Sequence, residues 1–282
     1  MKSHILLASL CCALLASVRA ADVVFQKDIA YVDGKDRDPE GFHTLDICAP
    51  VGAKDAPVLV FIHGGAFTRT PGKAVNQGRG GPHNQGLAAQ GIVVVSISYR
   101  LAPAHQWPVY MEDTVKAIAW VKANIIRYGG SAQKIFVCGH SAGAQLAALT
   151  VTNDRYLKSV GLSMADIRGV IPVSGSYVQN CAGFKDGTVY GGDEARARDA
   201  TPGFHVHAGA PPFLLISGDI EPLEPFTTKS SLALLEKLKA AGIDAAHLQV
   251  KGRDHSTIIT KFATAGDPAG EAVVKFIHTH AP

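Results

Sequence analysis

Residues 139–143 have the sequence Gly-His-Ser-Ala-Gly, which can hold one serine in a sharp turn between two glycines. The apolar run 135–138 before it has the pattern of a buried strand, and the Ala- and Leu-rich segment 142–151 has that of a helix. A serine between a strand and a helix N-terminus points its hydroxyl above the sheet, near the positive end of the helix. Ser141 is therefore the candidate nucleophile.

A second glycine-rich turn, residues 63–67 with the sequence His-Gly-Gly-Ala-Phe, follows the apolar run 58–62. Small residues at a strand end allow backbone N–H groups to face an oxygen that becomes negative during a reaction. One such donor stabilises the transition state by about 3 kcal/mol. The candidate donors are the N–H groups of Gly64, Gly65 and Ala142. A generic strand-to-loop turn is the alternative, which the presence of the serine motif elsewhere in the chain disfavours.

A serine nucleophile needs a base, and the base needs an acid that orients it. His255 follows the predicted strand 246–250 and so lies on a loop at a strand end, where catalytic groups collect. The candidate acid follows the predicted strand 213–216, where Asp219 and Glu221 compete, and either carboxylate can accept the imidazole N–H. The pair His205 and His207 lacks a clear third ligand for a metal site.

The elements that position these residues alternate along the chain. Apolar runs predict strands, and segments with helical spacing predict helices. The predicted strands are residues 45–48, 58–62, 92–97, 135–138, 170–173, 213–216 and 246–250, and the predicted helices are 108–128, 142–151, 227–241 and 271–280. This order predicts an α/β fold with a mostly parallel central sheet of about eight strands and helices on both faces.

Two stretches interrupt the alternation, residues 68–86 and 174–210. Long irregular insertions are often lids or substrate-binding loops, although surface decoration explains them equally well. Three aromatic residues near the predicted site, Phe67, Trp107 and Tyr177, are candidates for lining a substrate pocket. Aromatic side chains serve equally well in a protein core.

Composition excludes several classes of protein. The formal net charge is +3 without a basic run, which argues against a nucleic-acid partner or a polybasic membrane surface.

The N-terminal residues have the pattern of a signal peptide, with Lys2, the apolar run 5–16 and the small residue Ala20. This pattern predicts a signal peptide over residues 1–20 and a catalytic domain over 21–282. We therefore expect a secreted or periplasmic protein with no integral membrane segment in its mature chain; a membrane tether is the alternative.

Three cysteines follow the predicted signal peptide: Cys48, Cys138 and Cys181. Cys48 and Cys138 fall in apolar strand-like runs, where cysteine behaves as a small core residue. An odd number leaves at least one free thiol. No structural disulfide and no metal site is expected.

Together, these motifs resemble the α/β-hydrolase superfamily, near the hormone-sensitive-lipase-like esterases and the related feruloyl-esterase and arylformamidase-like proteins. The resemblance covers residues 40–280 and rests on residues 63–67, 98–103, 139–143 and 211–215 and on His255. It implies a serine hydrolase that needs no cofactor. It also implies Glu221 as the acid, because Pro222 and Leu223 follow it, with Asp219 in reserve, and it implies structural roles for Arg100 and Asp113.

Three functions remain open from the sequence. The first is hydrolysis of small or medium acyl esters, or of aromatic esters, through a Ser-His-acid triad and a backbone oxyanion hole. The second is hydrolysis of an amide of the arylformamidase type, which the expected export disfavours. The third is a non-catalytic binding protein on the same fold. The presence of both Ser141 and His255 disfavours this third function.

Overall fold

Eight strands form one sheet in the computed structural model, which describes residues 22–68, 82–178, 187–220 and 222–281. The strand order is β1-β2-β4-β3-β5-β6-β7-β8. The strands are β1 Val23–Ala30, β2 Thr44–Pro50, β3 Ala56–Ile62, β4 Val93–Ile97, β5 Gly130–His140, β6 Gly169–Val173, β7 Phe213–Ser217 and β8 Ala245–Gln249. β2 is antiparallel to β1 and β4, and the other neighbouring pairs are parallel.

Helices cover both faces of the sheet. They are α1 Pro82–Ala88, α2 Val109–Asn124, α3 Ala142–Thr152, α4 Arg155–Ser159, α5 Glu194–Asp199, α6 Glu224–Ala240, α7 Thr257–Thr260 and α8 Pro268–His280. Short 3₁₀ turns lie at Gly34–Asp36, Ile125–Tyr128, Met164–Asp166 and Pro202–Phe204.

Each central strand contributes side chains to two hydrophobic cores, one on each face of the sheet, because successive side chains point to opposite faces. In β3, Val60 and Ile62 belong to the core beneath α2 and α3, whereas Leu59 and Phe61 belong to the core beneath α7 and α8. All four side chains are completely buried. Burial on both faces explains why such strands appear in the sequence as uninterrupted apolar runs.

The predicted fold class is confirmed, and each predicted strand and helix overlaps an observed one. The edge strand β1 was not predicted. Its residues alternate between half-buried and exposed positions over only part of the strand, so it lacks the apolar run of a central strand. The region 174–210, predicted to be irregular, contains α5 and one 3₁₀ turn in its described part.

Several predictions concern residues outside the described ranges: the signal peptide 1–20, residues 69–81 of the first insertion, Cys181 and Glu221. Cys48 and Cys138 are buried, as the sequence predicts, and both are free thiols. Among the described helices, none combines the length and the apolar character that crossing a membrane requires.

Candidate active site

Ser141 stands between the end of β5 and the start of α3. Its backbone has φ 56° and ψ −117°, a left-handed conformation that non-glycine residues rarely adopt. The turn is possible because the backbones of Gly139 and Gly143 pack closely against each other: a Cβ on Gly139 would lie 2.2 Å from the Gly143 carbonyl oxygen. The Ser141 N–H donates to the carbonyl of Val173 at 2.9 Å, which ties the turn to the end of β6.

His255 lies on the loop between β8 and α7. Its Nε2 is 3.0 Å from Ser141 Oγ, within hydrogen-bond distance. The carbonyl of Arg253 accepts from the N–H groups of Asp219 and Ile220 at 3.0 and 3.1 Å, so this loop is fixed to the segment that follows β7. The structure thus brings together the serine and the histidine that the sequence indicates.

The carboxylate that contacts His255 is Glu224, which the sequence analysis does not consider. Its Oε1 lies 2.9 Å from His255 Nδ1. This corrects the expected assignment of the acid, because the imidazole Nδ1–H is directed to Glu224. Glu221 lies outside the described residues, and Asp219 Oδ1 accepts instead from the Gly252 N–H at 2.8 Å.

The second oxygen of Glu224 is held by the protein. Oε2 accepts from Ser174 Oγ at 2.9 Å, from Thr227 Oγ1 at 3.0 Å and from the Gly218 N–H. Burial on its own would raise the pKa of this completely buried carboxyl. The bonds from His255, Gly218 and Ser174 outweigh burial and hold the pKa below its ordinary value. Glu224 is therefore an ionised acceptor for the imidazole at neutral pH.

The glycine turn after β3 lies directly beside Ser141. A Cβ on Gly64 would stand 3.0 Å from Ser141 Cβ and 2.9 Å from the His140 carbonyl oxygen, so only glycine fits there. Gly65 and Ala66 continue the turn with φ values of 115° and 54°. The Ala142 N–H is the first of α3, a position that has no carbonyl partner within the helix. Gly64 and Ala142 thus lie beside Ser141, and Gly65 follows Gly64 in the same turn.

His63 holds this turn through a hydrogen bond to Gly64. Its ring stacks on Tyr99 with centroids 4.3 Å apart, and its Nδ1–H donates to the Gly64 carbonyl at 2.7 Å. Burial lowers the pKa of His63 to about 4, so the ring is neutral at ordinary pH. The bond orients the peptide between Gly64 and Gly65, whose N–H is one of the candidate donors.

A cavity of about 410 Å³ opens at Ser141 and His255. Its wall is largely apolar and includes Phe67, Leu223 and Phe226, with Gln145 and Ser176 among the polar residues. Of the three aromatic residues predicted to line a pocket, only Phe67 does so among the lining residues described.

Trp107 and Tyr177 belong to the core instead. Trp107 is 3% exposed, and its Nε1 donates to Asp199 Oδ2 at 2.9 Å. Tyr177 is completely buried, and its hydroxyl oxygen accepts from the Gly175 N–H at 2.9 Å. Their prediction as pocket residues is wrong for this structure, because each aromatic ring satisfies its polar end inside the protein.

Comparison with known proteins identifies relatives of this site and fold. The BD-FAE family model matches residues 45–168. Esterase LipC of Mycobacterium tuberculosis is 33% identical over 244 residues, which cover 80% of this chain and 59% of LipC. Esterase LipQ of the same organism is 32% identical over 210 residues, covering 68% and 49%. The chain therefore spans about half to three fifths of the length of these curated relatives.

A solved structure extends the match over nearly the whole fold. A truncated carbohydrate esterase from gut microbiota superposes with a TM-score of 0.76 at 20% identity, covering 92% of this chain and 96% of that one. The chain has the α/β-hydrolase fold. The resemblance that the sequence motifs indicate is confirmed at this level.

Arg100 and Asp113 form an ion pair inside this α/β-hydrolase fold. Asp113 is completely buried and accepts two bonds of 2.8 Å from the Arg100 guanidinium and a third from the Arg100 N–H at 3.1 Å. His43 Nε2 lies 3.1 Å from the same carboxylate. These contacts agree with the structural role expected for this pair.

No group of three possible metal ligands occurs in the described part of this α/β hydrolase. The imidazoles of His205 and His207 are engaged with the backbone, at the carbonyls of Asp199 and Ala208 respectively. One ring nitrogen of each histidine is therefore used in a hydrogen bond to the nearby backbone.

Proposed function

We propose that this α/β hydrolase is a carboxylic-ester hydrolase with Ser141 as nucleophile, His255 as general base and Glu224 as the orienting acid. One observation carries the proposal: His255 is 3.0 Å from Ser141 Oγ through Nε2 and 2.9 Å from Glu224 Oε1 through Nδ1. A serine, an imidazole and a buried carboxylate in this order can activate a hydroxyl for attack on an acyl carbon.

The reaction follows from these positions. Ser141 Oγ attacks the ester carbonyl while His255 Nε2 takes its proton. The resulting imidazolium is stabilised by the ionised carboxylate of Glu224, and it returns the proton to the departing alcohol. Water then enters, gives a proton to His255 and releases the acid from Ser141 by the same steps in reverse.

The oxygen of the tetrahedral intermediate carries a negative charge that must be stabilised. The N–H groups of Gly64, Gly65 and Ala142 are its proposed donors, because the glycine turn and the start of α3 both border Ser141. A preformed set of donors needs no reorganisation during the reaction, which is why it lowers the barrier.

The cavity supports a substrate of small or medium size. A volume of about 410 Å³ with a largely apolar wall suits a short acyl chain or one aromatic ring better than a long fatty acyl chain. The relatives named as esterases support hydrolysis of an ester in preference to other acyl transfers.

The test is hydrolysis of p-nitrophenyl esters from acetate to palmitate, with a feruloyl ester and N-formylkynurenine alongside, by the wild type and Ser141→Ala. We expect the short esters to be turned over and Ser141→Ala to lower kcat by about 10⁴-fold. Turnover of the formamide alone would favour an arylformamidase. No turnover of any compound by a folded wild type would contradict the proposal.

We also propose that the protein is exported, on the strength of its N-terminal sequence. Lys2 and the apolar run 5–16 precede the small residue Ala20, as in a cleaved signal peptide. N-terminal sequencing of protein recovered from the native host should begin at Ala21. Recovery of the intact N-terminus in the cytoplasm would exclude cleavage.

A further inference from the structure

His140, the residue before the nucleophile, reaches the loop that carries the catalytic histidine. It is the last residue of β5 and is only 3% exposed. Its Nε2 lies 3.0 Å from the backbone carbonyl oxygen of His255. The two imidazole rings are neighbours, with centroids 4.7 Å apart and planes tilted by 43°.

The two atoms in contact define which of them donates the hydrogen bond. A carbonyl oxygen can only accept, so His140 Nε2 carries the proton and donates it. Because the His140 side chain is itself buried, water does not readily replace the lost donor if His140 is changed. The bond therefore joins the end of β5 directly to residue 255.

Other bonds hold this loop, but they act on the residues beside His255. The Arg253 carbonyl accepts from Asp219 and Ile220, and Asp254 Oδ1 accepts from the N–H groups of Ser256 and Thr257 at 2.9 and 2.7 Å. His140 adds a bond at the peptide of His255 itself. Since Ser141 is the next residue after His140, this bond ties the base to the element that presents the nucleophile.

We propose that His140 is a positioning residue for the reaction: its Nε2–H fixes the His255 backbone so that the His255 imidazole meets Ser141 Oγ at 3.0 Å. This inference rests on the proposed function, because it assigns a role within that triad. A displacement of reacting groups by about 1 Å can cost about 10²-fold in rate, so a single bond at this place has a large effect.

Two amide substitutions separate positioning from packing. In His140→Gln the side-chain nitrogen is four bonds from Cα, as Nε2 is in histidine, so it can still reach the His255 carbonyl. In His140→Asn the nitrogen is one bond shorter and falls where Nδ1 was. Both variants are polar and neutral, and they differ mainly in the reach of the donor.

The experiment measures kcat and KM for a short p-nitrophenyl ester, the rate of covalent labelling of Ser141 by a fluorophosphonate, and the melting temperature. We expect His140→Gln to stay within about threefold of the wild type. For His140→Asn, kcat and the labelling rate should fall by about tenfold or more, with KM changed less than about twofold.

His278→Asn is the matched control, because its imidazole also donates to a backbone carbonyl, that of Gln90 at 3.3 Å, on the surface away from the site. It should leave both rates unchanged. If His140→Asn does not fold, His140→Gln and His140→Met make the same comparison, since they match in length and only Gln can donate.

Equal losses in the Gln and Asn variants, or no loss in either, would overturn the inference. The labelling rate separates this result from a failure of the proposed function. A wild type that is labelled but hydrolyses no ester contradicts the proposed function alone, and the comparison of variants still decides the role of His140. A wild type that is not labelled contradicts both.

Discussion

The two carboxylate oxygens of Glu224 have different partners. Oε1 faces the imidazole of His255, while Oε2 accepts from Ser174, Thr227 and Gly218. Three donors on one oxygen prevent the carboxylate from rotating. The orientation of His255 is therefore set by residues at the ends of β6 and β7 and in the first turn of α6.

The assignment of the acid is testable by comparing Glu224→Gln, Glu221→Gln and Asp219→Asn. Glu224→Gln keeps the shape of the side chain but loses the charge that orients and stabilises the imidazolium. We expect kcat to fall by about 10⁴-fold in that variant. The other two should stay within about threefold of the wild type, since Asp219 is engaged with Gly252. Ester turnover by the purified variants gives the answer, and a larger loss in Glu221→Gln would reverse the assignment.

Ser141 and His255 can be found from the sequence because each follows a predicted strand and one lies in a motif of fixed spacing. Glu224 cannot be found in this way. The segment from the end of β7 to the start of α6 carries three carboxylates within six residues, and the spacing alone does not say which one turns toward His255. A signal exists in Pro225: proline favours the first turn of a helix, which would have moved the predicted start of α6 from residue 227 back toward Glu224.

At the scale of elements, the serine turn depends on how closely α3 approaches the end of β3. A Cβ on Gly143 would lie 2.1 Å from the Ile62 carbonyl oxygen and 2.5 Å from that of His63. Both contacts are with backbone atoms, which cannot move aside without shifting the strand end or the glycine turn. The glycine is thus required by packing between two elements.

Gly143→Ala should therefore destabilise the protein by about 1–3 kcal/mol, the usual cost of overpacking. In a helix free of such contacts the same change stabilises by about 1 kcal/mol, so the sign of the effect is informative. Urea unfolding of the two proteins measures the difference. A more stable Gly143→Ala would mean that α3 does not approach β3 as described.

The elements themselves differ in how well sequence patterns predict them. Central strands such as β3 and β4 are almost entirely apolar because both faces are buried, with Ser96 of β4 as the exception, and this pattern has few competing explanations. Among the described strands, β1 pairs with β2 alone, and half of its residues are exposed, so its pattern resembles that of a loop. The start of α6 was placed too late, because the helical spacing becomes regular only after its first turn.

At the scale of the whole molecule, Asp113 joins three distant parts of the chain. It lies on α2, and its carboxylate binds Arg100 from the segment after β4 and His43 from the segment before β2. Burial on its own would raise the pKa of Asp113, but the bonds from Arg100 lower it. The charge is therefore kept, and the cluster is a buried ion pair that depends on both partners.

Asp113→Ala leaves the Arg100 guanidinium without its counter-ion, so we expect a loss of about 3–5 kcal/mol in unfolding free energy. Asp154→Ala provides the contrast, because Asp154 pairs with a largely exposed Lys158 at 2.8 Å and should cost less than about 1 kcal/mol. Chemical denaturation of both variants measures the two values. Similar small losses would show that the buried cluster contributes little.

The left-handed backbone conformation of Ser141 also affects the thermal stability of the protein. A non-glycine residue in this region costs about 1–3 kcal/mol, which the fold must supply in order to hold a hydroxyl at this place. Two inactive variants should then differ in heat resistance: Ser141→Gly relieves the conformation and melts above the wild type, whereas Ser141→Ala retains it. Calorimetry of the three proteins would show how much stability the chain gives up to hold Ser141 in this conformation; equal melting temperatures would show that it gives up none.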